Sequence, residues 1–88
     1  MALFFHPDAL SDLEEIWEFI AAGSLAAADR VLEEIYKTIQ SLVSFPEMGH
    51  VRHDLTSASI RFHPLYDFLI AYALEEKPLL VLAILHGR

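Results

Sequence analysis

The sequence predicts an α+β domain: a short N-terminal strand and an antiparallel two-helix hairpin, packed on a mainly antiparallel sheet in the order β-α-α-β-β-β. Two observations lead to this prediction. Apolar residues recur at helical spacing through the first half of the chain, and three apolar segments near its end are separated by links too short for crossover helices. With 88 residues, the chain has room for a single domain, 1–88.

The N-terminal segment predicts a short strand followed by a helix. Residues 2–5 are mostly apolar, and Pro7 suits a first helical turn because its missing N–H has no intrahelical partner there. The first helix is predicted over residues 7–22, and its only tryptophan, Trp17, is assigned to packing. The apolar stripe of this helix comprises Leu10, Leu13, Ile16, Trp17 and Ile20.

A second helix is predicted to follow at once. Gly23 allows the chain to reverse, and the Ser24 side chain is suited to accept a hydrogen bond from a free N–H at the next helix start. This helix is predicted to end near Ser44, because Pro46 disfavours helical geometry just before it. Its stripe comprises Ala28, Val31, Leu32, Ile35, Ile39 and Leu42. A link this short makes the two helices an antiparallel hairpin.

The C-terminal half predicts a meander of three strands. Residues 45–57 contain many turn formers and are read as a connector. Strands are predicted over 59–64, 67–74 and 79–88, with Tyr72 in the core.

Composition and charge limit the classes of function. The absence of cysteine excludes disulfides and thiolate metal sites. A formal net charge of −7 repels nucleic acid and anionic lipid, so any such contact needs a local basic patch. With no signal-like N-terminus and no membrane-length apolar run, we expect a cytoplasmic protein without a membrane partner, and we expect no cofactor.

Cationic candidates gather around the predicted sheet. Arg61 stands between Ile60 and Phe62, so its side chain points opposite to theirs and is expected to reach the exposed face of the sheet. There its guanidinium would anchor a phosphate or an acidic target. An alternative is a surface ion pair of Arg61 with Asp54 or Asp67.

Three further cations complete the candidate set. Arg52 precedes the predicted meander, and either lies beside Arg61 or is a solvated loop residue. His86 at a strand end is either an acid or base, or a side chain that bonds a nearby carbonyl or carboxylate. Arg88 closes the sequence.

Histidines in the connector invite a metal hypothesis. His50 and His53 stand three positions apart, with Asp54 and His63 nearby. A two-histidine loop without cysteine and without a second strong ligand pair falls short of a zinc signature. We therefore expect no metal site.

Several segments are informative in their order and spacing: residues 9–20, 27–28, 46–55, 70–72 and 84–88, together with Ile35, Leu42 and Arg61. Together they resemble the ParE/RelE superfamily of type II toxin–antitoxin toxins, and the ParE (plasmid stabilization) branch more closely. The resemblance spans nearly the whole chain. It implies a helical hairpin on an antiparallel sheet and a cognate antitoxin that wraps over the toxin in a hetero-oligomer. Two features depart from the family pattern: the sequence pI near 5.0, where such toxins are usually basic, and a C-terminus at Arg88 where many relatives continue.

The resemblance also implies a choice of target. ParE-like members poison DNA gyrase, whereas RelE-like members cut messenger RNA on the ribosome with several Lys and Arg side chains and often a C-terminal tyrosine. Here the lysines are Lys37 and Lys77, and no tyrosine follows Tyr72. We therefore favour non-catalytic gyrase inhibition over RNA cleavage. A non-toxic interaction module of the same fold is a third hypothesis, favoured by the acidity.

The site residues follow from these expectations. Target binding is assigned to the cationic candidates, which become catalytic candidates if the chain is a ribonuclease: Arg52, Arg61, His86 and Arg88. Antitoxin contact is assigned to Phe19, Leu25 and Val43, because apolar residues off the main stripes of a small domain often mark an interface.

Overall fold

Two helices pack on one face of a five-stranded mixed sheet in the computed structural model, which describes residues 3–52, 54, 59–73 and 79–86, with His86 described by its backbone alone. The elements in chain order are β1 (Leu3–Phe5), α1 (Pro7–Ala21), α2 (Leu25–Ser44), a 3₁₀ turn (Pro46–Met48), β2 (His50–Val51), β3 (Ile60–Leu65), β4 (Phe68–Ala73) and β5 (Leu79–His86). The predicted α+β class and helical hairpin are confirmed.

Side chains cap both helices at their N-termini. The His6 Nδ1 atom accepts a hydrogen bond from the Asp8 N–H at 3.0 Å, and Pro7 occupies the first helical turn. The Ser24 hydroxyl accepts from the Ala27 N–H at 3.1 Å, as its position in the sequence predicts. Each bond satisfies a donor that has no partner inside its own helix.

The sheet has the strand order β1-β5-β4-β3-β2. β1 is parallel to β5, and the other neighbouring strands are antiparallel. The connector contains one strand more than the sequence predicts, because His50 and Val51 pair with Phe62 and Arg61 of β3. So short a strand carries too little alternation to be recognised in the sequence.

Cross-strand pairing assigns each residue to a face, since residues directly opposite one another point the same way. Ile70 of β4 lies opposite Ile84 of β5, and both are buried beneath the helices. The core between helices and sheet comprises Ala9, Leu13, Ile16, Ile35, Ile39, Leu42, Val43, Ile70, Tyr72, Leu79, Val81 and Ile84.

The inward face of α1 differs from the predicted stripe at one position. Leu10 was expected inside but is 51% exposed, and its neighbour Ala9 is fully buried instead. Both positions are compatible with a stripe through Leu13 and Ile16, so periodicity alone does not choose between them. The packing selects the smaller side chain. None of the helices in the described part of the chain is long and apolar enough to span a membrane.

Candidate functional site

Two side chains from neighbouring strands bind the same short turn. Arg61 of β3 and Tyr72 of β4 lie directly opposite each other. Both reach residues 46–49, hereafter the 46–49 turn, which contains the 3₁₀ turn and precedes β2. The pair therefore fixes the edge of the sheet to the end of α2.

Tyr72 makes two hydrogen bonds through one hydroxyl. The hydroxyl donates to the Pro46 carbonyl oxygen at 2.7 Å and accepts from the Gly49 N–H at 2.9 Å. The residue is fully buried, and burial raises the pKa of the Tyr72 hydroxyl, although the Gly49 N–H bond and the Arg61 charge act to lower it. At neutral pH the phenol is thus held protonated, as its donation to Pro46 requires.

Arg61 does not lie on the open face of the sheet. Because Tyr72 faces the helices, its cross-strand partner Arg61 lies on the same, helix-covered side. The Arg61 Nη1 atom donates to the Gly49 carbonyl at 2.8 Å and to the Glu47 carbonyl at 3.4 Å. The sequence correctly predicts that Arg61 and Phe62 point to opposite faces of the sheet. It assigns Arg61 to the wrong face, because the pairing with Tyr72 places Arg61 on the helix side and Phe62, which is 6% exposed, on the other side.

Arg52 follows β2 directly and is engaged in an ion pair. Its Nε and Nη2 atoms donate to the two Asp54 carboxylate oxygens at 2.9 and 2.7 Å. The hydrogen bonds and charge of Asp54 raise the pKa of Arg52. Asp54, which the sequence offers as a partner for Arg61, therefore pairs with Arg52. Arg61 binds the Gly49 carbonyl, so the two guanidinium groups have different partners.

The structure describes little of the other two candidates, His86 and Arg88. His86 is the last residue of β5, and its backbone pairs with Phe68 at the start of β4. Arg88 lies outside the described residues, as do the side chain of His86 and all of His53. Their proposed roles remain predictions.

His50 lies on the edge strand β2, and His63 lies on its neighbour β3. Burial lowers the pKa of His63, the charge of His50 lowers it further, and a hydrogen bond with the Met48 backbone opposes both effects. The His63 Nδ1 atom is buried and has no hydrogen-bond partner within the described part of the chain. Among the described residues, no three potential ligand side chains converge to hold a metal ion.

An apolar groove lies between α1, the later part of β5 and the turn that joins β3 to β4. β1 pairs only with Leu79, Leu80 and Val81, so the later part of β5 has no strand on that side among the described residues. This β5 groove is lined by Asp12, Glu15, Ile16, Phe19, Ile20, Val31, Tyr66, Asp67, Phe68, Ile84 and Leu85.

Asp12 closes part of this open strand edge. Its Oδ2 atom accepts a hydrogen bond from the Ile84 N–H at 2.9 Å. The carboxylate thereby takes the place of a neighbouring strand and joins α1 to β5.

The comparisons with known proteins agree with this architecture. A sequence profile described as "ParE toxin of type II toxin-antitoxin system, parDE" matches residues 3–88. The chain belongs to the ParE toxin family. A solved structure described as "Chromosomal ParDE TA system from P. aeruginosa" has the same fold, with a TM-score of 0.81 and 18% identity, covering 100% of this chain and 97% of that one. No curated protein sequence matches significantly.

The three antitoxin-contact candidates of this ParE toxin separate in the structure. Phe19 is 84% exposed and lines the β5 groove, and Leu25 is exposed at the start of α2, outside that groove. Val43 is only 9% exposed and belongs to the core, so it offers a partner little surface in this structure. Val43 follows Leu42 on α2, and the buried face of this helix is wider than the predicted stripe because it includes both residues.

Sequence reasoning missed two residues that shape the sites of this ParE toxin. Gly49 lies in the predicted connector, residues 45–57, and no local pattern indicates that a tyrosine distant in sequence will pack against it. Asp12 lies in the predicted first helix, where the sequence analysis gives it no role. Its place immediately before Leu13 and four positions before Ile16, at the edge of the buried stripe, was the available signal.

Proposed function

We propose that this ParE toxin arrests growth by binding DNA gyrase without catalysis, and that a cognate antitoxin neutralises it. The observation that carries the proposal is the family match over residues 3–88, which covers every described helix and strand. The full-length fold similarity supports the same toxin–antitoxin assignment. Gyrase is the target expected of the ParE branch.

The contacts of Arg52 and Arg61 support binding over RNA cleavage. Cleavage of a phosphodiester requires an acid or base and cations that converge on the transition-state charge. In the described part of the chain, Arg61 is committed to backbone carbonyls and Arg52 to Asp54. Rebuilding them around a phosphate would require breaking these bonds.

The antitoxin contact is proposed at the β5 groove. Phe19 presents a large apolar side chain to solvent there, next to the partly exposed strand β5. An exposed aromatic side chain beside an apolar groove is typical of a protein interface. The antitoxin would cover it.

Expression in cells tests the toxin assignment. The chain is expressed alone and together with the protein encoded by the adjacent reading frame. We expect growth arrest in the first case and growth in the second. Unimpaired growth at equal expression of the folded chain alone would overturn the proposal and favour the non-toxic interaction module, which the net charge of −7 supports.

Assays with purified protein test the target. We expect inhibition of gyrase supercoiling and no cleavage of ribosome-bound message. The reverse pair of results would establish the RelE-like ribonuclease alternative. The Phe19→Ser variant should still arrest growth but escape neutralisation, whereas the Leu10→Ser variant, changed at an exposed α1 position outside the groove, should still be neutralised.

A further inference from the structure

Among the residues that the structure describes, the charged side chains that line the β5 groove are Asp12, Glu15 and Asp67, all of them acidic. The protein as a whole carries a formal charge of −7. The local and the overall field therefore both attract a cationic partner and repel an acidic one.

Between these acids the groove is apolar. Phe19 is 84% exposed and Leu85 is 42% exposed, with Ile16, Ile20 and Phe68 beside them. An occupant must therefore bring apolar side chains to the centre of the groove and positive charge to its rim. That combination describes an amphipathic basic segment.

The Asp12–Ile84 bond bears on the shape of the occupant. A strand added to the open edge of β5 would need its N–H groups, yet the Ile84 N–H already donates to Asp12. A helix requires no backbone donor from the groove, and it contacts the groove through side chains alone. The Asp12 carboxylate retains acceptor capacity for a lysine or arginine of such a helix.

We propose that the β5 groove binds an amphipathic helix whose apolar stripe covers Phe19 and whose flanks carry lysine or arginine facing Glu15 and Asp12. This inference rests on the proposed function, in which the occupant is the antitoxin. It adds the sign of the charge that the antitoxin segment must carry. The antitoxin of this toxin is thus basic where it crosses α1 and β5.

Two designed peptides test the charge preference on the purified full-length chain. Both are about 18 residues long, enough for five helical turns, and share one leucine stripe. One carries lysine and the other glutamate at every polar position. We expect the lysine peptide to bind at least about tenfold more tightly, equivalent to about 1.4 kcal/mol, and to weaken as salt is raised.

Two charge reversals on α1 locate the site. Glu15 lines the β5 groove, whereas its neighbour Glu14 lies on the other side of the helix, beside Leu10 and Trp17. Glu15→Lys and Glu14→Lys change the net charge equally. We expect Glu15→Lys to weaken lysine-peptide binding roughly fivefold and Glu14→Lys to change it much less. Phe19→Ser should weaken it as well.

The outcomes separate this inference from the toxin assignment. Equal binding of the two peptides, or equal effects of the two reversals, would overturn the inference. Growth arrest by the chain alone, with rescue by the adjacent gene product, would leave the toxin assignment standing in that case. If both hold, Glu15→Lys toxin should resist neutralisation in cells while Glu14→Lys toxin remains neutralised.

Discussion

Arg61 and Tyr72 are cross-strand neighbours that bind opposite groups of the same glycine: Arg61 donates to the Gly49 carbonyl, and Tyr72 accepts from the Gly49 N–H. The bonds bring β3 and β4 against the 46–49 turn, from which the short strand β2 continues. A residue that resembles a target-binding cation in the sequence is thus a structural anchor. Any measurement of its role in toxicity must first account for its role in folding.

Gly49→Ala should destabilise the protein. A Cβ atom at this position would lie 2.8 Å from Cε1 and 2.9 Å from Cζ of Tyr72, and closer still to its hydroxyl oxygen. The ring is fully buried and cannot retreat without losing its two hydrogen bonds. We expect a loss of roughly 2–4 kcal/mol in the free energy of unfolding, measured by urea denaturation.

Gly23→Ala is the matched control. The nearest atom to its added Cβ is the Ile20 carbonyl oxygen at 3.7 Å, an ordinary contact, and its backbone is outside the left-handed region. We expect this change to leave stability unaltered or to raise it by up to about 1 kcal/mol. Similar losses for the two alanine variants would contradict the close packing at Gly49.

Tyr72→Phe should also be destabilising, because it leaves the Pro46 carbonyl and the Gly49 N–H without their partner. The expected cost is about 1–3 kcal/mol in urea denaturation. Tyr36→Phe is the control, since Tyr36 is 42% exposed and contacts Phe5 through its ring. It should change stability by less than about 0.5 kcal/mol.

The raised pKa of Tyr72 adds a pH dependence. Because the folded-state pKa exceeds the unfolded value, the contribution is fully present below about pH 10 and is lost as the pH rises through the folded pKa. Ultraviolet titration should show one tyrosine ionising later than the others, and Tyr72→Phe should remove that step. If all tyrosines of the folded protein ionised together, the raised pKa of Tyr72 would be refuted.

Arg61→Ala and Arg52→Ala should differ in stability. Arg61 bonds two backbone carbonyls, so we expect a cost of about 1–2 kcal/mol when it is removed. The Arg52–Asp54 ion pair is solvent-accessible, so removing Arg52 should cost much less stability than removing Arg61. Thermal denaturation measures both.

Growth assays on the Arg52→Ala variant then test whether Arg52 belongs to the target-binding surface. If Arg52 touches the target, Arg52→Ala should weaken toxicity while the protein stays folded. Full toxicity of Arg52→Ala would remove this residue from the target surface.

The helical hairpin and the three-strand meander could be predicted from the sequence because their signals are local. Ser24 caps α2 through an atom three residues away, and the stripes repeat within a few turns. The face of Arg61 could not be predicted in the same way. Alternation shows that Arg61 and Phe62 point in opposite directions, yet only the register with Tyr72 decides which of them faces the helices.

The same distinction applies to the groove. Phe19 falls outside the apolar stripe of α1, and that local signal correctly predicts its exposure. Asp12 binds Ile84 across most of the chain length, and nothing in the local sequence specifies this contact. Hydrogen bonds of this kind, between residues far apart in the sequence, depend on how far β1 extends along β5.

Asp12→Ala should open the edge of β5. The Ile84 N–H would lose its acceptor, with a cost of about 1–3 kcal/mol, and Asp12→Asn should cost less because an amide oxygen can still accept. Hydrogen exchange followed by NMR should show the Ile84 amide exchanging faster in the alanine variant. The Ala27 amide, bonded to Ser24, serves as the internal reference. Unchanged exchange at Ile84 would contradict the bond.

His63 should make the protein less stable in mild acid. Burial, reinforced by the charge of His50, lowers the folded-state pKa of His63 below its unfolded value near 6.5, so its neutral form is favoured by folding. That contribution is present above about pH 6.5 and is lost as the pH falls through the folded pKa. Urea denaturation between about pH 7.5 and 5 should show a smaller loss of stability for His63→Phe, which cannot titrate and leaves no buried Nδ1 atom unpaired. Identical pH profiles for the two proteins would exclude His63 as the source of the acid sensitivity.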